Sequence, residues 1–123
     1  MISQQYASNA YMKTMVNTSG SKLDLVIMLY DGAIEFLKKA VFFMNQKEVA
    51  RKLQYMDKAL AIVEHLQATL NMEAGGEVAQ KLQSLYIYML KELTCANIRN
   101  DPERIGRVVG LLRTLRDGWK GIR

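Results

Sequence analysis

The sequence predicts an all-α fold: an antiparallel up-and-down four-helix bundle preceded by a flexible N-terminal arm. Three observations lead there. Apolar residues recur at three- and four-residue steps through four long stretches. Helix-stopping signals, Gly75-Gly76 and Asn100-Asp101-Pro102, fall between stretches rather than inside them. The connections left over are short, which makes consecutive helices antiparallel neighbours. At 123 residues, 50% apolar and 24% charged, the composition is that of one soluble globular domain.

Residues 1–20 form the arm and residues 21–123 the bundle domain. The arm, ISQQYASNAYMKTMVNTSG, has no sustained helical stripe, and its Ser, Asn and Thr side chains compete for backbone hydrogen bonds. It is expected to be flexible or to dock through Tyr6, Tyr11, Met15 and Val16.

The first helix is expected from Ser21 to about Asn45. The Ser21 hydroxyl serves as N-cap, with Asp24 three residues on in a variant of the capping box. Asp31-Gly32 would suit a hairpin turn, but Ala33, Leu37, Ala40, Val41 and Met44 repeat at helical spacing. Helix is therefore the reading, with Gly32 costing about 1 kcal/mol relative to alanine.

The second helix is expected from Glu48 to Met72, with a seam of Val49, Leu53, Met56, Leu60, Val63 and Leu70. Gly75-Gly76 ends that unit, and Glu77 opens the third helix, where a carboxylate suits the positive end of the dipole. Val78, Leu82, Leu85, Tyr86, Met89, Leu93 and Ala96 supply the third core stripe. Asp101 as N-cap and Pro102 at the first helical position start the fourth helix. Its buried face is read as Ile105, Val108, Leu112, Leu115, Trp119 and Ile122.

Several helices carry more apolar residues than one core face needs. Ile27, Tyr30, Ile34 and Phe43 fall off the main stripe of the first helix, and Ile62 and Leu66 broaden the second. Ile87, Leu90 and Ile98 do so on the third, and Val109 and Leu111 on the fourth. A wide core explains any one of them. The surplus as a whole, together with eight methionines, points to a partner groove or an oligomer interface.

Other chemistry is poorly supported. His65 is the only histidine and Cys95 the only cysteine, which leaves no catalytic triad, disulfide or metal-ligand set. Gly75-Gly76 lacks the Lys-Ser/Thr of a phosphate-binding loop. Asp31 and Glu35 share a helix face without a substrate-facing partner. No enzyme activity and no cofactor are expected. Asp31, set in an apolar run, must meet water or a cation.

The N-terminus has no secretory signal pattern and no window is long and apolar enough to span a membrane, so a cytoplasmic location without membrane insertion is expected. The net charge of +5 is concentrated near the end of the chain, in Arg99, Arg104, Arg107, Arg113, Arg116, Lys120 and Arg123. A helical nucleic-acid-binding domain is one alternative on that basis, but these arginines are interspersed with core positions and no nucleic acid is expected as a partner. A homo-oligomeric adaptor is the other alternative.

A resemblance narrows the choice. MLYDGAIEFL at 28–37, EAGGEVAQKLQSLYIYMLKEL at 73–93, ANIRND at 96–101 and LRTLRDGWK at 112–120 make the chain similar to the flagellin-specific flagellar export chaperone family. The similarity is collinear over nearly the whole chain. The family's Thr-Ala-Ser/Thr-Pro before the first helix is replaced here by the longer, proline-free Thr18-Ser19-Gly20-Ser21-Lys22.

The resemblance implies a cytosolic type III export chaperone. It would bind the disordered C-terminal segment of flagellin in apolar grooves, prevent premature polymerisation, and deliver its client to a flagellar export gate protein. It further implies partner contacts at Tyr30, Asp31, Leu85 and Tyr86, and an arm bearing Tyr6 and Tyr11 that covers the empty groove. Ile34, Ile62, Leu66, Val109 and Leu111 join the candidates from the apolar surplus. The expected assembly is a monomer or weak homodimer.

Overall fold

A computed structural model describes residues 22–122. The arm, with Tyr6 and Tyr11, and the Ser21 cap lie outside the described residues. Four helices follow one another: α1 (Lys22–Asn45), α2 (Val49–Ala68), α3 (Met72–Arg99) and α4 (Pro102–Gly121). Each packs on its neighbours in sequence, and α4 closes the ring against α1, leaving α1 and α3 diagonal to one another.

The helix ends follow local chemistry. After α1, Lys47 takes the left-handed conformation (φ 60°), and the Glu48 N–H donates to the Phe43 carbonyl at 3.0 Å. Asp101 caps α4 as expected, accepting from the Arg104 N–H at 3.2 Å, with Pro102 in the first turn.

The α2–α3 boundary differs from expectation. α2 stops at Ala68, where the Thr69 hydroxyl donates to the His65 carbonyl at 2.9 Å. Asn71 then accepts from the Ala74 N–H at 3.0 Å and starts the next helix before the glycines. Gly75-Gly76 is therefore a kink inside α3, with Gly76 at φ 53°, ψ −127°. A side-chain cap upstream outcompeted the glycine stop.

The core also shifts in register. On α2 the buried positions are Lys52, Met56, Ala59, Val63 and Leu66, while Val49 and Leu53 turn outward. A lysine can occupy that stripe because its ammonium donates to the Asn97 carbonyl at 3.0 Å and to Asn100 Oδ1 at 2.9 Å. On α3, Ala79 is buried and Val78 is exposed, just past the kink. On α4, Val109 joins Ile105, Val108 and Leu112 inside, whereas Ile122 is exposed in the final turn.

The apolar excess of α1 is largely core. Ile27, Tyr30 and Ile34 are buried alongside Leu29, Ala33, Leu37, Ala40 and Met44, because α1 packs against α2 on one flank and α4 on the other. Gly32 permits the first of these contacts: a Cβ there would lie 3.3 Å from Cδ1 of Ile62. Of the described methionines, Met44, Met56 and Met89 are buried, so they chiefly fill the interior.

Candidate functional site

The Tyr30 and Tyr86 hydroxyls meet at 2.5 Å across the bundle diagonal, joining α1 to α3 through the core. Both rings are buried. Burial pushes both phenols above their ordinary value near 10, because a phenolate would lose its hydration. Two diagonal helices thus share one satisfied polar pair in the core.

Beside this centre, at the α1–α4 seam, Arg116 donates from Nη1 to Asp31 Oδ1 at 3.0 Å, and its Nε donates to Asp117 at 3.3 Å. The acid in the apolar run of α1 meets a cation from the neighbouring helix, and it remains half-exposed. Arg104 lies 3.5 Å from Glu92 and 3.4 Å from Asp101, so that α3 and α4 also share an ion-pair network.

The candidate residues divide by depth. Tyr30, Ile34, Leu66, Tyr86 and Val109 are interior; Asp31, Ile62, Leu85 and Leu111 are partly buried. Tyr30, Tyr86 and Asp31 come together around the α1–α4 seam. Ile62 instead leans on Gly32 between α1 and α2. The nine candidates among the described residues therefore do not line one continuous surface.

The apolar surface of the bundle lies elsewhere. Val49 and Leu53 of α2 and Ile87 and Ile98 of α3 are exposed, Val49 and Ile98 at 60% and 76%. Tyr55 and Ile62 occupy the α1 side of α2, so Val49, Leu53 and the half-buried Leu60 line the other side. Glu92 marks the α4 side of α3, so the half-buried Leu90 falls on its α2 side, with Ile87 and Ile98 further round toward solvent. The Lys52–Asn97 bond sets the start of α2 beside the end of α3. Ile87, Leu90 and Ile98 belong to the apolar surplus expected from the sequence, whereas Val49 and Leu53, expected in the core, are exposed.

No group of His, Cys, Asp and Glu that could hold a metal is present among the described residues, and His65 is exposed. Among the described residues no helix is long and apolar enough to cross a membrane.

The model of the family described as flagellar protein FliS matches residues 3–123. A flagellar secretion chaperone FliS from Salmonella typhimurium is 40% identical over 117 residues, covering 92% of this chain and 87% of that protein. One from Bacillus subtilis is 33% identical over 111 residues, covering 90% and 81%. A solved structure described as a flagellar chaperone from bacteria superposes with a TM-score of 0.77 at 20% identity, over 94% of this chain and 96% of that one, and so shares the fold. The match to the family and the relatives at this identity establish that the chain belongs to the FliS family of flagellar secretion chaperones.

Proposed function

We propose that this chain acts in the cytoplasm as a non-catalytic chaperone for flagellin, holding its disordered C-terminal segment, preventing premature polymerisation and delivering it to the flagellar export gate. The observation that carries the reading is the exposed apolar surface on the α2–α3 side of the bundle, to which Val49, Leu53, Ile87 and Ile98 contribute. Contiguous apolar surface on a small domain marks an interaction site. A disordered segment laid there as an amphipathic helix gains buried area that offsets its ordering entropy.

In this reading the interior candidates Tyr30, Ile34, Leu66, Tyr86 and Val109 fix the frame. Asp31, Ile62, Leu85 and Leu111 lie off that surface and contact the client where its segment continues around the bundle, and Tyr6 and Tyr11 cover the groove when it is empty. The chaperone works as a monomer or weak homodimer.

Calorimetry and circular dichroism with a flagellin C-terminal peptide test the proposal. One-to-one binding with a gain of helix is expected. Leu53→Gln with Ile98→Gln should weaken binding by about tenfold or more, as loss of a buried apolar anchor does, while leaving the bundle folded. Absence of both binding and helix gain with the unmodified chaperone would refute it.

A further inference from the structure

The outer face of α1 and α2, a different surface from that on the α2–α3 side of the bundle, carries an aromatic ladder. Phe36 and Phe43 stand two helical turns apart on α1, and Tyr55 of α2 reaches between them. Its ring centroid lies 6.1 Å from Phe36 and 5.6 Å from Phe43, the latter pair stacked within 5° of parallel. Phe42 extends the row edge-on at 5.1 Å and is 57% exposed.

Three cations cover these rings. Lys39 lies 5.4 Å from the Tyr55 centroid and Arg51 5.3 Å from that of Phe43. Lys58 is 5.3 Å from Phe36 and 5.4 Å from Tyr55. Cation–π contacts of this kind stabilise a half-buried cluster by about 0.5–1 kcal/mol each, and that alone would account for one such pair. Three on one patch are different, because Lys39 and Lys58 share a ring and repel one another.

None of the three is held in an ion pair among the described residues, whereas Lys38, Lys81, Arg104 and Arg116 all are. Glu35 pairs with Lys38, Asp57 is turned to another side of α2, and Glu48, which stands near Arg51 in sequence, makes no salt bridge to it. The patch is an apolar floor with three positive charges above it that make no salt bridge among the described residues.

The geometry points to a second docking surface here, for an acidic peptide segment whose carboxylates meet Lys39, Arg51 and Lys58 while an apolar side chain between them packs on Phe42 and Phe43. Nucleic acid is the poorer fit. Base stacking needs free aromatic faces, and these faces are taken up by one another and by the cations. Carboxylates need only the outward side of the ammonium and guanidinium groups.

Fluorescence anisotropy on the full chain decides it. The probes are a labelled synthetic peptide of alternating Glu-Glu and Leu residues, its Gln-for-Glu counterpart, and an oligothymidylate of equal charge. The acidic peptide should bind, weakening as salt rises, and the Gln peptide should not. Replacing Lys39, Arg51 and Lys58 together by Gln should weaken the acidic peptide by about tenfold or more, as loss of clustered charge contacts does. A control with Lys22, Lys91 and Lys120 replaced by Gln, away from the patch, should change it by less than about twofold, since only remote charge is lost. Circular dichroism confirms folding of both triple variants, and the three single Gln variants, each with a graded loss, replace the triple should it unfold. No binding of the acidic peptide, equal loss in the control, or tighter binding of the oligothymidylate would each overturn the proposal. None of these outcomes bears on flagellin binding on the α2–α3 side of the bundle.

Discussion

The Tyr30 hydroxyl meets the Tyr86 hydroxyl across the bundle diagonal, and each phenol is the other's hydrogen-bond partner. Tyr30→Phe and Tyr86→Phe each strand one buried hydroxyl, and leaving a buried polar group unpaired costs about 1–3 kcal/mol. In urea unfolding the double variant should cost less than the sum of the singles, since it removes both ends of one interaction. Strictly additive losses would mean that the hydroxyl contact contributes nothing.

The same pair sets an alkaline limit. Burial holds both phenols protonated above their ordinary value near 10. In the unfolded chain they ionise near that value, so above it the unfolded state binds fewer protons than the native one and stability falls as pH rises. Below the unfolded value their contribution is complete and flat. The slope is at most about 1.4 kcal/mol per pH unit for each phenol. Urea midpoints measured from neutral to strongly alkaline pH should fall less steeply in the Tyr30→Phe, Tyr86→Phe double variant than in the parent. Parallel slopes would refute this account.

Asp31 and Arg116 form a rim contact rather than a core one. The Asp31 side chain is 47% exposed and the pair is open to solvent and salt. Asp31→Asn should therefore cost no more than about 1 kcal/mol of stability. A loss of flagellin-peptide affinity larger than that stability change would identify Asp31 as a client contact, as the family resemblance implies. Unchanged affinity and unchanged stability together would reduce it to a solvated acid.

Much of this arrangement was legible in the sequence, and the exceptions have physical causes. Asp101-Pro102 is a local signal, complete within two residues, and the structure places a helix start there. Gly75-Gly76 announced a left-handed backbone correctly, but a glycine does not say whether it ends a helix or bends one. That depended on Asn71, whose side chain captures the Ala74 N–H. Val49 and Leu53 fit the α2 stripe by spacing, yet spacing cannot foresee that Lys52 finds two acceptors on α3 and takes the buried side. The Tyr30–Tyr86 bond spans 56 residues, and periodicity carries no signal for such a contact. On the surface, the cations around Phe36, Phe43 and Tyr55 could not be told from an ordinary solvated face until two helices brought them together.

Gly76 should resist substitution for a reason that lies in the backbone alone. Its φ of 53° with ψ of −127° suits glycine and strains an L side chain, although a Cβ there would meet no atom within 4 Å. Gly76→Ala should destabilise by about 1–3 kcal/mol from backbone strain alone. Gly32→Ala tests the opposite case, since its backbone is helical and the obstacle is the terminal methyl of Ile62. That methyl can move, so the gain in helix propensity should leave Gly32→Ala neutral or stabilised by up to about 1 kcal/mol. A Gly76→Ala protein as stable as its parent would mean that the kink is not fixed by this residue.

Lys52 closes the end of α3 from outside that helix. The last carbonyls of a helix lack intrahelical partners and carry the negative end of its dipole, and the Lys52 ammonium supplies both a donor and a charge at Asn97. Its second acceptor, Asn100, has φ 50° and ψ 57° and terminates α3 in the left-handed conformation. Lys52→Met keeps the aliphatic packing and removes only the ammonium, so the cost should be about 1–3 kcal/mol for acceptors left without their donor. Asn100→Gly should cost less, because glycine holds the same backbone and only one acceptor is lost. Asn100→Ala adds the strain of a left-handed alanine, about 1 kcal/mol more. Thermal or urea unfolding of the three variants gives the order directly, and a Lys52→Met protein as stable as its parent would show that the buried lysine serves only as filler.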